Sequence, residues 1–149
     1  SLLSRAIALL ARRDHSRAEL SRKLARYVDE DDPNALDRVL DELERSGLIS
    51  DERFAAANIR IRSQRFGDAR IRHDLRRLGV ADEASAAALQ TLAGSETARA
   101  REVWSKRFDT LPTSTAERAK QARFLQSRGF SLDSIFRVLR GEAGEEDGD

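Results

Sequence analysis

Apolar residues recur at helical spacing along almost the whole chain, and no stretch alternates as a strand would. Leu3, Ala6, Ile7 and Leu10 make a first stripe that ends before His15. Ser16 and Glu19 have capping-box spacing: the hydroxyl can take the N3 amide while the carboxylate reaches back. Leu20, Leu24 and Tyr27 mark the buried side of the helix that follows. Asp32-Pro33 reads as a cap with a first-turn proline, ahead of a third stripe of Leu36, Val39, Leu40 and Leu43. Gly47 suits a left-handed helix end, with Leu48 placed for the hydrophobic contact that accompanies it.

This three-helix pattern recurs. Ser50 caps a helix through Phe54, Ala57 and Ile61, with Asp51 and Glu52 at its positive end. Gly67 opens a second helix through Ile71, Leu75 and Leu78, stopped at Gly79-Val80, and an alanine-rich helix runs from Ala84 to Leu92. A shift of 51 lays Leu3 on Phe54, Leu10 on Ile61, Ser16 on Gly67, Leu20 on Ile71 and Leu24 on Leu75. A looser third copy has Ala100, Val103, Trp104 and Phe108 in its first helix. Its second has a Ser114–Glu117 capping box, with Phe124 and Leu125 before Gly129-Phe130, and Ser131 caps a last helix through Leu132, Ile135, Phe136 and Leu139. A shift of 50 lays Leu75 on Leu125, Gly79 on Gly129 and Leu89 on Leu139. The expected fold is all-α: an elongated array of three tandem three-helix units, resembling helix-turn-helix repeats, at 1–50, 51–94 and 95–140. The acidic, glycine-containing segment 141–149 is expected to be disordered.

Composition narrows the function. Of the 149 residues, 36% are charged and only 5% aromatic, which favours thin helical units over one thick core. Cysteine is absent, so disulfides, thiolate nucleophiles and Cys-ligated zinc are excluded. No apolar run has the length of a membrane span and no signal segment opens the chain, so a soluble, cytoplasmic protein is expected. With Ser1 first and no Met, some N-terminal sequence is expected to be missing. The net charge of +1 hides alternating blocks: +5 over 1–27, −6 over 28–50, +4 over 51–80, −3 over 81–98, +6 over 99–140 and −5 over 141–149. Arginine supplies 24 of the 27 basic residues. That suits bidentate contact with phosphate or carboxylate and also follows from GC-rich coding.

Several motifs in order resemble the RecX family of recombination regulators. They are Ser16-Arg17-Ala18-Glu19-Leu20 with Lys23-Leu24, the run from Gly47-Leu48-Ile49-Ser50 to Asp51-Glu52-Arg53-Phe54-Ala55, and Gly67-Asp68-Ala69-Arg70-Ile71 leading to Leu75. The last is Arg123-Phe124-Leu125 leading to Arg128-Gly129-Phe130-Ser131. The resemblance covers about residues 2–140. It departs at Arg26-Tyr27-Val28, where family members often have glycine, in the acidic insertion that follows, and around 96–107. It implies a small helical inhibitor of the RecA recombinase that lies in the groove of the filament on single-stranded DNA. Such a protein blocks filament growth and lowers ATP turnover, strand exchange and the co-protease activity behind the SOS response. The resemblance also implies no catalytic centre and no cofactor.

The residues agree with a non-enzyme. His15 is read as a surface residue beside a cap, since Glu19 at i, i+4 could supply a second metal ligand but the sequence offers no third, and His73, beside Asp74 on an arginine-rich helix, is not read as catalytic. No glycine-rich loop cradles phosphate. The basic residues point to a binding surface. Asp74 is spaced to neutralise Arg70 and Arg77, which leaves Arg72 and Arg76 on one helix, and Arg62 and Arg65 on the one before, for DNA phosphate or an acidic recombinase surface. Lys120 and Arg123, near Arg118 and Arg128, form a second candidate. Trp104 and Phe108 are read as core, and Tyr27 and Phe66 as plugs between units. The acidic stretch from Asp29 to Glu44 could be a solvated face, could mimic DNA phosphate or could dock on a basic rim of the filament. The expected partners are a RecA filament and, weakly or indirectly, single-stranded DNA, met by a monomer with no membrane contact. A general nucleic-acid-binding helical module is the alternative.

Overall fold

The computed structural model describes residues 1–142 and is helical throughout, with no strand among the described residues. In chain order the helices are α1 (Leu2–Arg12), α2 (Arg17–Leu24), α3 (Ala35–Arg45), α4 (Asp51–Arg62), α5 (Asp68–Arg77), α6 (Asp82–Leu89), α7 (Glu96–Ser105), α8 (Thr115–Ser127) and α9 (Leu132–Leu139). The principal helix–helix packing runs within the triplets α1–α3, α4–α6 and α7–α9. Each triplet closes its own apolar core, centred on Leu20, Leu24 and Leu40 in the first, Ile59, Ile71 and Leu75 in the second, and Leu125, Ile135 and Val138 in the third. The all-α expectation, in three-helix units, holds.

The caps follow the local sequence. Ser16 closes the full box with Glu19, and Ser50, Ser114 and Ser131 each accept the amide three residues on. Glu117 does not complete a box with Ser114; its carboxylate reaches one residue further back, to the Thr113 amide at 2.7 Å. Before α3 the expected Asp32-Pro33 cap does not form. The helix begins at Ala35 after Asn34, and the Asp32 carboxylate turns to Arg38 instead.

First-helix faces differ from those the stripes suggest. Leu3, Ile7 and Ile61 are exposed, Ile61 by 72%, while Leu2, Ala6, Leu9 and Leu10 turn inward in α1 and Phe54, Ala55 and Ile59 in α4. In α9, Leu132 and Phe136 are exposed and Val138 is buried; after Gly47 it is Ile49 that enters the core, not Leu48. Each of these helices carries two adjacent apolar stripes, so spacing alone leaves the buried one undecided by about 100°. Packing decides by size: Ala6, Ala55 and Ala100 are all 0% exposed, at the point where the first helix meets its neighbours. First helices therefore align at shifts of 49 and 45, whereas the second helices keep 51 and 50, with Leu24, Leu75 and Leu125 all buried.

Neighbouring units meet through a repeated joint. The first amide of α2, on Arg17, donates to Asp51 at the start of α4, and the first amide of α5, on Asp68, donates to Glu96 at the start of α7, each at 2.9 Å. Beside it, the Ser16 hydroxyl donates to the Leu78 carbonyl at 2.5 Å, and the Gly67 amide to the Arg128 carbonyl at 2.8 Å. The second helices of the first two units, α2 and α5, thus have their amino ends satisfied by the unit that follows. The receiving turns hold Gly79 and Gly129 at φ +87° and +88°, and a Cβ on either would overlap Ala18 or Arg70 across the joint. Among the described residues no hydrogen bond or ion pair joins the first unit to the third, so the units follow one another in a row.

Candidate partner-binding face

The predicted basic residues divide into those used internally and those left open. Arg62 belongs to the first kind: its guanidinium donates to Asp74 at 2.6 Å, and Arg70 shares that carboxylate at 3.3 Å. Asp74 therefore pairs across helices α4 and α5 and leaves Arg77 without it, a geometry that spacing along α5 alone cannot reveal. Arg76 is paired as well, with Asp82 at 3.1 Å. Arg65, Arg72, Lys120 and Arg123 are exposed, and among the described residues none has a carboxylate within salt-bridge distance.

Three clefts gather most of the open cations. Between α1 and α2, a groove of about 590 Å³ is lined by Arg5, Arg12, Arg22, Lys23 and Arg26 around Tyr27, with Ala8, Leu9 and Leu24 as its floor. A second cleft brings Arg22 from the first unit to Arg62, Arg70 and Arg77 from the second, with Asp74, the partner of Arg62 and Arg70, also in its lining. The third, between units two and three, is lined by Arg65, Lys106, Arg107 and Arg128 beside Phe124, with no carboxylate. Arg22 belongs to the first two clefts. Arg70 from the second, and Arg65 and Arg128 from the third, lie over the Phe66 ring, with guanidinium carbons 4.6, 5.5 and 5.9 Å from its centre. The clefts are linked into one cationic track along the array. Arg72, Arg76, Lys120 and Arg123 do not line these clefts.

Neither aromatic plug behaves as expected in full. Phe66 does sit near a joint, packed on the second core, and its carbonyl accepts from Arg99 of the third unit at 3.1 Å. Tyr27 is instead exposed, with the Arg5 guanidinium 3.7 Å from its ring centre and Arg26 donating to its hydroxyl at 2.7 Å. Stacked arginines keep their outward donors free for an anion. Trp104 and Phe108 are core residues: the indole donates to Gln121 at 2.8 Å, and Phe108 meets Phe124 edge to face.

His15 lies inside the molecule rather than on the surface. It is 3% exposed; hydrogen bonding assigns Nδ1–H to the Arg13 carbonyl, with Nε2 accepting from the Lys23 ammonium, both at 3.0 Å. Burial pushes its pKa below the ordinary value, and although the Arg13 carbonyl pulls the other way, the charges of Arg13 and Lys23 add to the fall. Glu19 is raised by burial, but bonds from Arg13 and the Ser16 amide outweigh this and hold it low. At the second joint, burial raises the Asp68 carboxyl against the pull of Arg99. The acidic stretch is partly consumed inside the fold, because Arg17 pairs with Asp37, Asp41 and Glu44 on α3.

Sequence reasoning missed Arg5, Arg12, Arg22, Lys23, Arg26, Lys106 and Arg107. The +5 block over 1–27 and the four-residue spacing of Arg22 and Arg26 were legible signals; that α1 and α2 face each other across a groove was not. Among the described residues no group of His, Asp or Glu could hold a metal ion, and no helix is long and apolar enough to cross a membrane.

Comparison with known proteins agrees with this architecture. Models of the second and third three-helix domains of RecX match residues 50–89 and 95–139. The regulatory protein RecX of Leptothrix cholodnii is 45% identical over all of this chain and 94% of its own length. That of Ralstonia nicotianae is 42% identical over all of this chain and 93% of its own. The crystal structure of RecX from Lactobacillus salivarius superposes with a TM-score of 0.80 over 94% of this chain and 93% of that one, at 19% identity. A second RecX crystal structure gives 0.77 over 95% of this chain and 72% of that one, at 21% identity. Shared fold, two matched domains and near-full-length relatives lead to one conclusion: this chain is a member of the RecX family of regulatory proteins.

Proposed function

We propose that this protein binds the RecA nucleoprotein filament as a monomer and lowers its ATP turnover, strand exchange and co-protease activity. It would thereby restrain DNA recombination, repair and the SOS response in the cytoplasm, and it performs no chemistry of its own. One observation carries the reading: cations from all three units line linked clefts along the array, while half of the carboxylates among the described residues are held by arginines within and between units. A long cationic track on a row of small units matches a partner that is itself a long polyanion.

Titration of the protein into RecA hydrolysing ATP on single-stranded DNA tests this. Inhibition well below one inhibitor per recombinase supports filament binding. Unchanged ATP turnover and strand exchange at stoichiometric protein would overturn it. Within the reading, Arg65, Arg72, Lys120 and Arg123 are contact candidates because they are open. Arg62 and Arg76 are weaker ones because each already has a carboxylate.

A further inference from the structure

His15 is a buried titratable side chain that filament binding does not require. It sits at the corner between α1 and α2, 3% exposed, with Nδ1–H on the Arg13 carbonyl and Nε2 facing the Lys23 ammonium, both at 3.0 Å. An ammonium can only donate, so the ring is neutral while this contact lasts. The charged groups acting on the ring are Arg13 at the end of α1 and Lys23 and Glu19 on α2. Two of the three are cations, and the Glu19 carboxylate is already engaged by Arg13 and by the Ser16 amide. A proton on Nε2 would aim one donor at another and set two positive charges side by side away from water.

The same corner carries the first joint. Ser16, next in the chain and 0% exposed, caps α2 through the Glu19 amide, and its hydroxyl donates to the Leu78 carbonyl of the second unit. Glu19 takes the Arg13 guanidinium, and the Arg13 carbonyl takes the ring. Ring, cap and joint are thus one connected set of hydrogen bonds, with the Arg17 amide reaching Asp51 beside them. We propose that His15 is a proton-operated latch on the first joint: neutral, it ties Lys23 to the corner and keeps the first two units closed on each other; protonated, it expels Lys23 and opens the joint while each core stays folded. The other histidine, His73, is exposed on α5 and enters neither joint among the described residues. The cleft of Arg22, Arg62, Arg70 and Arg77 spans the first joint, so the cationic track is continuous only while the latch is closed.

The test is NMR of the full chain alone, from pH about 7.5 to about 5.5. The His15 ring should titrate at lower pH in the folded chain than in urea. Lys23→Met should raise that midpoint, because it removes a neighbouring cation and the donor to Nε2; Lys23 is itself exposed, so the core is spared. Opening grows as pH falls, since the open corner binds the proton that the closed one rejects. Amide exchange, corrected for its intrinsic pH dependence, should therefore show protection at Arg17 and Glu19 falling severalfold, at most about tenfold for one proton over this range. The core amides of Leu24, Leu75 and Leu125 should keep theirs. His15→Gln retains an acceptor for Lys23 and a donor for the Arg13 carbonyl but does not titrate, and should abolish the pH dependence at Arg17 and Glu19. A His15 midpoint equal in folded and unfolded chain, or unmoved by Lys23→Met, overturns the proposal. So does protection at Arg17 and Glu19 that ignores pH, that falls equally in His15→Gln, or that is lost together with the core amides. Because no recombinase is present, failure here leaves the ATPase test of the filament reading untouched.

Discussion

Arg62 and Arg72 stand ten residues apart and carry the same charge, yet their surroundings give them different work. Arg62 holds Asp74, whose side chain is only 14% exposed, so Arg62→Ala should lower stability by about 1 kcal/mol in urea unfolding, more than an exposed pair would. Arg72→Glu should leave the unfolding midpoint nearly unchanged and, within the filament reading, raise the protein concentration needed to inhibit ATP turnover. His15 adds a pH dependence. Its folded pKa is depressed below the unfolded value of 6.5, so the unfolded chain binds the extra proton. Its contribution to stability is full above that pH and is lost as pH falls below it. The urea midpoint should drop between pH about 7.5 and about 5.5, and His15→Gln should flatten that drop. Glu19, also depressed, loses its contribution lower, as pH falls below its ordinary 4.5. Residue identity was legible for all of these. The pairing of Arg62 was not, because Asp74 reaches it across two helices.

Helix position was largely written in local sequence, as the Ser16, Ser50 and Ser131 caps and the turns at Gly47, Gly79 and Gly129 show. Helix rotation was not, because α1 offers two overlapping apolar stripes and only close packing at Ala6 chooses between them. The same logic predicts overpacking: Ala55→Leu and Ala100→Leu should each destabilise by about 1–3 kcal/mol in chemical unfolding. The turn glycines make a graded pair. Gly47→Ala meets nothing within 4 Å and carries only the strain of φ +79°, about 1 kcal/mol. Gly129→Ala adds a clash with the Arg70 backbone across the joint and should cost clearly more.

Three separate cores in a row make the joints the weakest part of the molecule. Each joint has one carboxylate at the start of the next unit, Asp51 or Glu96, with a turn carbonyl beside it, and the second joint adds Arg99 on Asp68 and on the Phe66 carbonyl. Replacing both carboxylates by Ala should speed hydrogen exchange at the Arg17 and Asp68 amides, while the amides of Leu24, Leu75 and Leu125 keep their protection. Loss of protection throughout would mean that the units fold only as one body. The cationic track belongs to this scale too, since Arg22, Phe66 and Arg128 link clefts built from different units.

By itself the sequence determined what depends on near neighbours in the chain: helix starts and stops, the threefold repeat, the alternating charge blocks and the motifs shared with the RecX family. Capping, turn geometry and periodicity act over three to five residues, so they can be read in one dimension. Tertiary structure alone decided which apolar stripe faces inward, which carboxylate neutralises which arginine, and which cations share a groove. Those outcomes turn on side chains from different helices competing for the same few ångströms. Arg62 went to Asp74, Arg17 to the acidic face of α3, Arg5 to the ring of Tyr27 and Arg26 to its hydroxyl. Contact through space, rather than distance along the chain, set each of them.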